Sequence, residues 1–259
     1  MSTTADWDPA QYLRFADHRL RPALDLLSRV PGRPKTVVDL GCGAGNVTQA
    51  LAARWPEAAI TGVDGSEAML AQARQTLPSA RWQLADIAGW APEAPPELIF
   101  SNAALHWLPA HTTLLPQLAG LLAPGGTLAV QMPRNHGAPS HTAIADTVHA
   151  GPWRTRLEPL LRPAPVAEPA AYYDWLQPLA AALEIWETEY LQPLQGEDPV
   201  KEWTKSTALK PLLDALAGAE REAFEADYAA RLRTAYPRRA DGTTLFPFRR
   251  LFIVLRRPG

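Results

Sequence analysis

The sequence VVDLGCGAGNVT spans residues 37–48 and decides the fold class of the chain. It begins as a β-branched apolar run, typical of a buried parallel strand, and ends where a helical pattern begins. Gly41, Gly43 and Gly45 lie between the two, where glycine lets the backbone turn sharply and approach a ligand without an intervening Cβ. The helix that follows offers free N–H groups and the positive end of its dipole. We therefore predict a strand–loop–helix unit whose loop holds a ligand.

Strands and helices alternate around this unit. Apolar runs predict strands at 35–41, 58–65, 81–87, 96–105 and 126–133. Helical spacing predicts helices at 22–30, 46–54, 66–77 and 116–123, and Ser66 is the predicted cap of the third. This alternation predicts an α/β fold with a doubly wound, mostly parallel sheet. Its ligand should lie beyond the carboxyl ends of the strands.

The pattern changes after Pro133. Residues 134–182 are rich in Pro, Ala and Trp, and we predict a partly helical insertion there. Next come a predicted strand at 183–194, helices at 200–217 and 220–236, and a strand at 244–257. Two strands that flank helices predict a hairpin with a helical cap, residues 197–236, over the ligand face. The predicted divisions are 1–34 (arm and first helix), 35–133 (ligand-binding core), 134–182 (insertion) and 183–259 (strands and cap).

The composition excludes several classes of function. The 259 residues contain 25 Lys and Arg against 27 Asp and Glu, a balance that offers no electrostatic case for nucleic acid or membrane surfaces. Cys42 is the only cysteine, which rules out an intrachain disulfide and a Cys-rich metal site. No apolar run approaches the roughly 18–20 residues of a membrane span. We expect a cytoplasmic protein, a monomer or homodimer, with no metal, nucleic acid or membrane partner.

Two classes of cofactor compete for the glycine loop. A dinucleotide site requires the pattern G-x-G-x-x-G, but here the third glycine comes one residue early and Asn46 follows it. Asp39 precedes the first glycine by two positions. The resulting pattern, D-x-G-x-G-x-G, resembles that of class I S-adenosyl-L-methionine (SAM)-dependent methyltransferases. This resemblance implies a Rossmann-like, seven-stranded sheet and SAM as cofactor.

The resemblance also implies which residues bind SAM. Asp64 would accept hydrogen bonds from the ribose hydroxyls, Asp86 and Ile87 would hold the adenine, and Asn102 would face the methionine end. Arg19 is a further candidate, as a partner of the methionine carboxylate. The candidate cofactor-binding residues are Asp39, Gly41, Cys42, Gly43, Asp64, Gly65, Ser66, Met69, Asp86, Ile87, Asn102 and Arg19.

Segments outside the glycine loop carry a narrower resemblance. They are DWDPAQYLRFADHRLRPALDLLSRV (6–30), SNAALHWLPAH (101–111), PGGTLAVQMPRN (124–135), EWTKSTALKPLLD (202–214) and YPRRADGTTLFPFRRLFIVLRR (236–257). Together they resemble the trans-aconitate 2-methyltransferase family across almost the whole chain. This implies the monomethyl ester of a small polycarboxylate, trans-aconitate first among them, as the product.

An ionised carboxylate is already a nucleophile, so methyl transfer by in-line displacement needs no general base, and we assign no catalytic residue. The protein's work is alignment and the exclusion of water. A polyanionic acceptor needs fixed cations, and adjacent residues on a strand face opposite ways, so only one of Arg249 and Arg250 should enter the site. The candidate acceptor-binding residues are Trp7, Tyr12, His106, Trp107, Lys201, Lys205, Arg249 and Arg250.

Several alternatives stay open at this point. The same fold can act on another small acid or on a hydroxyl of a natural product. An NAD(P)-dependent oxidoreductase and a non-catalytic SAM-binding protein are remoter possibilities. Among the residues, the two lysines can form an ordinary solvated helix face, since they are four apart. Cys42 can be a packed residue without a reactive role.

Overall fold

The computed structural model describes residues 16–162, 164–205 and 207–259. Its strands are β1 (Thr36–Leu40), β2 (Ala59–Asp64), β3 (Arg81–Leu84), β4 (Leu98–Asn102), β5 (Thr127–Pro133), β6 (Ala182–Leu194) and β7 (Thr244–Arg256). Its α-helices are α1 (Ala16–Arg29), α2 (Asn46–Arg54), α3 (Glu67–Thr76), α4 (His111–Gly120), α5 (Pro139–Ala150), α6 (Arg154–Leu157), α7 (Pro169–Leu176), α8 (Pro199–Lys205), α9 (Lys210–Asp214) and α10 (Gly218–Ala235).

The strands of the described chain form a seven-stranded sheet in the order β3-β2-β1-β4-β5-β7-β6. Strands β1 to β5 pair in parallel, and β7 runs antiparallel to β5. The strand order reverses between β1 and β4, which is where a doubly wound sheet opens a crevice at its carboxyl ends. Both the predicted fold and the predicted hairpin, in which β6 and β7 are neighbours separated along the chain by α8 to α10, are confirmed.

The two faces of the sheet differ in polarity. Pairing places Asp39, Phe100, Asn102 and Gln131 on one face, and Phe252 pairs with Gln131 on that same face. The opposite face carries a continuous apolar cluster in which α4 and α7 pack on the strands. The side chains of Asp39, Asn102 and Gln131 therefore share one side of the sheet and lie towards the carboxyl ends of their parallel strands.

The chain divides into two units, each assembled from distant segments. One comprises Ala16–Pro133, Pro165–Thr188 and Arg250–Gly259, and holds the parallel strands described above. The other contains Arg134–Ala164 and Glu189–Arg249. Its core is strongly aromatic: Trp153 meets Phe224 edge to face, with ring centroids 5.2 Å apart, and Tyr236 meets Phe246 in the same way at 5.4 Å.

Five predicted elements had wrong boundaries, among them β4, which ends at Asn102, three residues before its predicted end. Helix α1 begins at Ala16, before Pro22, because burial of Ala23 and Leu26 stabilises a helix that contains a proline. Strand β3 stops at Leu84, since the Asp86 carboxylate caps a following 3₁₀ turn by accepting from Ala88 N at 3.0 Å. The other two corrections concern α4, which begins at residue 111, and the predicted helix 200–217, which is two helices.

Pro211 explains the last of these corrections. Proline has no N–H and clashes with the preceding turn, so it is tolerated at the start of a helix and disfavoured inside one. Here it follows Lys210, the first residue of α9.

Among the described residues, none of the helices combines the length and the apolar character that a membrane span needs, and no group of three or more His, Cys, Asp or Glu can hold a metal ion.

Candidate active site

The glycine loop after β1 is held against two neighbouring segments. Gly41 N and Cys42 N both donate to Val63 O on β2, at 2.8 and 3.0 Å. Gly41 has φ +82°, and a Cβ there would overlap the side chain of Ala104 in the loop after β4. Gly43 has φ +54°, but space is open around the position of its missing Cβ. The first glycine thus lets two loops meet, and the second leaves a bare backbone surface for a ligand.

Asp64 ends β2 and ties the loops together. Its Oδ2 accepts from Gly43 N at 2.8 Å, and its Oδ1 accepts from Ser66 N at 2.9 Å. A carboxylate has about four acceptor positions, so it retains capacity for ligand hydroxyls. Ser66 caps α3 as predicted, because its Oγ accepts from Met69 N at 3.3 Å. Gly65 continues this loop, and a Cβ there would only touch Ala85 O at 3.8 Å.

Two titratable side chains lie buried beneath the loop. Burial, the largest cause, raises the pKa of Asp39 to about 7, and the hydrogen bond from Thr48 Oγ1 at 2.6 Å opposes that shift. Burial also raises the pKa of the Cys42 thiol well above its usual range, with a smaller contribution from the nearby charge of Asp39. A thiol held protonated is a poor nucleophile. Cys42 therefore does not suit covalent chemistry.

The loop after β3 brings the predicted adenine residues near the glycines. Ile87 Cδ1 lies 3.3 Å from the position that a Cβ of Gly41 would take, and Asp86 is exposed. Trp82 was missed by the sequence analysis. Its ring covers Gly62, where any Cβ would overlap it, and it lies 3.0 Å from the Cβ position of Gly45. A glycine in the middle of a predicted strand was the available signal.

A polar row crosses the carboxyl ends of β4 and β5 and the middle of the antiparallel strand β7. Asn102 on β4 pairs with Gln131 on β5, and Arg250 Nη1 on β7 donates to Gln131 Oε1 at 3.3 Å. Arg250 is 3% exposed, whereas Arg249 points the other way, is about half exposed (48%) and approaches Glu189 at 3.7 Å. The alternation expected for adjacent strand residues therefore separates the two arginines. Gln131, which is fully buried, was missed.

His106 and Trp107 lie on a strained segment after β4. Their rings are 4.7 Å apart in a short 3₁₀ turn, and the segment is flanked by Ala103 (φ 53°) and Ala110 (φ 58°). Non-glycine residues with positive φ cost free energy and tend to occur at functional sites. The segment therefore stays in place only because other contacts hold it.

His111 supplies those contacts and was also missed. Its Nε2 lies 2.9 Å from Leu105 O, which can only accept, so Nε2 carries the proton. Its Nδ1 then accepts from Tyr172 Oη at 2.6 Å, and that hydroxyl accepts from Ala167 N at 3.3 Å. Burial lowers the pKa of His111, which keeps the ring neutral as this arrangement requires.

The predicted lysines lie in an ion-pair network of the other unit. Lys201 Nζ approaches Asp198 at 3.7 Å and Glu202 at 3.8 Å, and Lys205 Nζ pairs with Glu225 at 2.7 Å. Desolvation lowers the pKa of Lys205, but its hydrogen bonds to Glu225 and Glu202 together raise the pKa by more, so the net shift is upward. The charges of both lysines are thus compensated among the described residues. This arrangement does not favour binding of a free polyanion.

Three predicted residues cannot be placed. Trp7 and Tyr12 lie outside the described residues, and Arg19 lies in α1 with its side chain outside them. The residues that the structure does bring together are Asp39, Gly41, Cys42, Gly43, Asp64 and Ile87 around the loop, with Asn102 and Arg250 along the polar row.

Part of this chain matches a known family of protein domains, and its fold resembles solved structures. The profile of the family described as methyltransferase domain matches residues 37–126. The fold resembles a putative methyltransferase from Bacillus halodurans C-125, with TM-score 0.58, 14% identity and coverage of 92% of this chain and 100% of the other. It also resembles phosphoethanolamine N-methyltransferase 2 of Haemonchus contortus in complex with SAM, with TM-score 0.55, 15% identity and coverage of 92% and 53%.

Curated relatives match almost the whole chain. The trans-aconitate 2-methyltransferase of Azoarcus sp. (strain BH72) is 52% identical over 249 residues, which cover 96% of this chain and 98% of the relative. That of Methylobacterium nodulans is 50% identical over 255 residues, which cover 98% and 99%. Because this similarity extends far beyond the methyltransferase domain to both ends of the sequence, the chain belongs to the trans-aconitate 2-methyltransferase family.

Proposed function

We propose that this protein transfers a methyl group from SAM to one carboxylate of trans-aconitate and releases the monomethyl ester. The observation that carries this proposal is the 52% identity along 96% of the chain, since it includes the segments outside residues 37–126. A shared fold supports methyl transfer in general, whereas acceptor choice depends on those outer segments. The near-neutral composition and the single cysteine support a small-molecule enzyme of the cytoplasm.

The residues around the glycine loop fit SAM. Gly43 leaves space beside a bare backbone, Asp64 has acceptor capacity for ribose hydroxyls, and Asn102 Oδ1 is a buried acceptor without a partner among the described residues. That oxygen suits an ammonium group. When bound, SAM supplies an electrophilic methyl group on a sulfonium.

Arg250 is the cation that suits the acceptor. It is buried on the polar face of the sheet, beside Gln131, and an arginine in such a place binds carboxylates strongly and directionally. Because the acceptor's carboxylate is ionised at neutral pH, no side chain has to remove a proton. The chain's residues bind and orient the acceptor and exclude water, and these effects supply the rate enhancement.

The test is incubation of the purified protein with methyl-labelled SAM and single acids: trans-aconitate, cis-aconitate, citrate and isocitrate. We expect base-labile methyl ester mainly from trans-aconitate. Ester formed mainly from another acid would correct the acceptor while leaving the reaction in place. No ester from any acid, with S-adenosylhomocysteine still bound tightly in calorimetry, would refute the proposed carboxyl methylation.

A further inference from the structure

Gln131 lies at the centre of the polar row and is fully buried. It belongs to β5, with Asn102 of β4 as its partner on one side and Phe252 of β7 on the other. Opposed residues in neighbouring strands project to the same face, so the amide of Gln131 lies on the face that carries Asp39 and Asn102. Most buried positions of this sheet are apolar, which makes a glutamine here conspicuous.

Only one end of the Gln131 amide is used within the described chain. Its Oε1 accepts from Arg250 Nη1 at 3.3 Å, which orients the amide. Its Nε2 is buried and has no hydrogen-bond partner among the described residues. Burial of an unpaired donor costs free energy, and native proteins leave few such groups without a reason. The Nε2 group is therefore a buried donor that can bind an acceptor atom of a ligand.

The neighbouring groups indicate which kind of acceptor fits. The positive charge of Arg250 lies on one side of the amide, and Asn102 Oδ1, a buried acceptor unpartnered in the described residues, lies on the other. An anionic oxygen is favoured beside a guanidinium and an N–H donor. A carboxylate both accepts from the N–H group and neutralises the charge of the guanidinium, whereas a hydroxyl or an amine does neither as well.

We infer that Gln131 determines specificity for a carboxylate: its Nε2 donates to a carboxylate oxygen of the bound ligand, while its Oε1 holds the guanidinium of Arg250 in place. This inference rests on the proposed function for its choice of ligand. The carboxylate belongs either to the acceptor or to the methionine end of SAM, and separate measurements distinguish these sources.

The decisive substitution is Gln131→Glu, which keeps the shape of the side chain but replaces the donor by a negatively charged oxygen. If the carboxylate belongs to the acceptor, we expect the KM of Gln131→Glu for trans-aconitate to rise at least about tenfold, with a smaller change in kcat. Calorimetric affinity for S-adenosylhomocysteine should be unchanged. Affinity of trans-aconitate for the S-adenosylhomocysteine complex, measured by calorimetry, should fall by the same factor as KM rises.

Thr127→Val is the matched control. Thr127 is buried on the same strand and the same face, four residues before Gln131 and towards the opposite end of β5. Its loss removes a polar atom from a comparable depth, so we expect both affinities to stay as in the wild type. The pH profile adds a second signature: the defect of Gln131→Glu relative to wild type should shrink as pH falls, because a protonated glutamate regains a donor.

Each outcome decides the inference. A loss of S-adenosylhomocysteine affinity with unchanged acceptor binding would support the inference and assign the carboxylate to the cofactor. Unchanged binding of both ligands would overturn it, as would losses in Gln131→Glu that are accompanied by equal losses in Thr127→Val. If the wild type forms no ester, the proposed function fails, while the S-adenosylhomocysteine titration still tests the role of Gln131.

Discussion

At the scale of single residues, the site depends on a glycine that lacks a side chain as much as on the polar residues around it. Gly41 has no side chain, so the loops after β1 and β4 come together, and Asp64 can then hold Gly43 N at 2.8 Å. Asp39 and Gly41 could be predicted from the sequence because they belong to one strand–loop–helix pattern, and Asp64 because it ends the next strand, where the resemblance to class I SAM-dependent methyltransferases implies an acidic residue. Gln131 could not, because its role depends on which strands become neighbours, and for Trp82 the available signal was Gly62 in the middle of a predicted strand.

Gly41→Ala should abolish binding of S-adenosylhomocysteine and lower the free energy of unfolding by about 1–3 kcal/mol. The added methyl group overlaps Ala104, and alanine disfavours the φ of +82° at this position. Calorimetry and urea unfolding measure the two effects. Gly120→Ala is the control, since its Cβ meets nothing within 4 Å; binding by Gly41→Ala at wild-type affinity would contradict the account of the loop.

Asp39 should make stability depend on pH. Its pKa is about 7 in the folded chain against a usual value of 3.8, so the folded state holds more protons than the unfolded state between these values. The stability contribution of Asp39 therefore falls as pH rises from about 4 to 7, at up to about 1.4 kcal/mol per pH unit. Asp39→Asn, which keeps an acceptor for Thr48, removes this dependence.

The measurement is urea unfolding of both proteins at pH 5 and pH 8. The free energy of unfolding of Asp39→Asn minus that of the wild type should be larger at pH 8 by a few kcal/mol. The difference between the two proteins cancels other groups that titrate in both. A difference that is the same at both pH values would show that the pKa of Asp39 is not raised.

At the scale of elements, the segment 103–110 illustrates how long-range contacts set local conformation. The sequence does not predict the strained backbone at Ala103 and Ala110, because alanine ordinarily avoids positive φ. The holding contacts come from His111 and from Tyr172, which is 61 residues further along the chain. The strands and most helices, in contrast, follow from local periodicity. The split of the predicted helix 200–217 required attention to Pro211 alone.

Tyr172→Phe should loosen this segment. The substitution removes the hydroxyl that donates to His111 Nδ1 at 2.6 Å, and we expect a loss of about 1–2 kcal/mol in the free energy of unfolding. Amide hydrogen exchange should accelerate at residues 103–110. Tyr173→Phe is the neighbouring control on an exposed side chain (54%), and equal exchange rates in the two variants would refute the role given to Tyr172.

At the scale of the whole molecule, the parallel sheet and the late hairpin follow from the order of predicted elements. The composition of the two units does not, since each gathers segments that are far apart in sequence. In the unit that contains Glu189–Arg249, predicted substrate cations turn out to belong to an ion-pair network, in which Lys205 bridges Glu202 and Glu225. Spacing on a helix showed that the two lysines share a face, but it did not show which carboxylates would face them.

The central claim is that this chain methylates a polycarboxylate held by the buried Arg250. The most direct test is the acceptor KM for trans-aconitate, with methyl-labelled SAM, in the wild type, Arg250→Ala and Arg249→Ala. We predict that the wild type forms ester, that Arg250→Ala raises KM at least about tenfold, and that Arg249→Ala changes it little. A wild type that esterifies no acid, or equal effects of the two substitutions, would contradict the account.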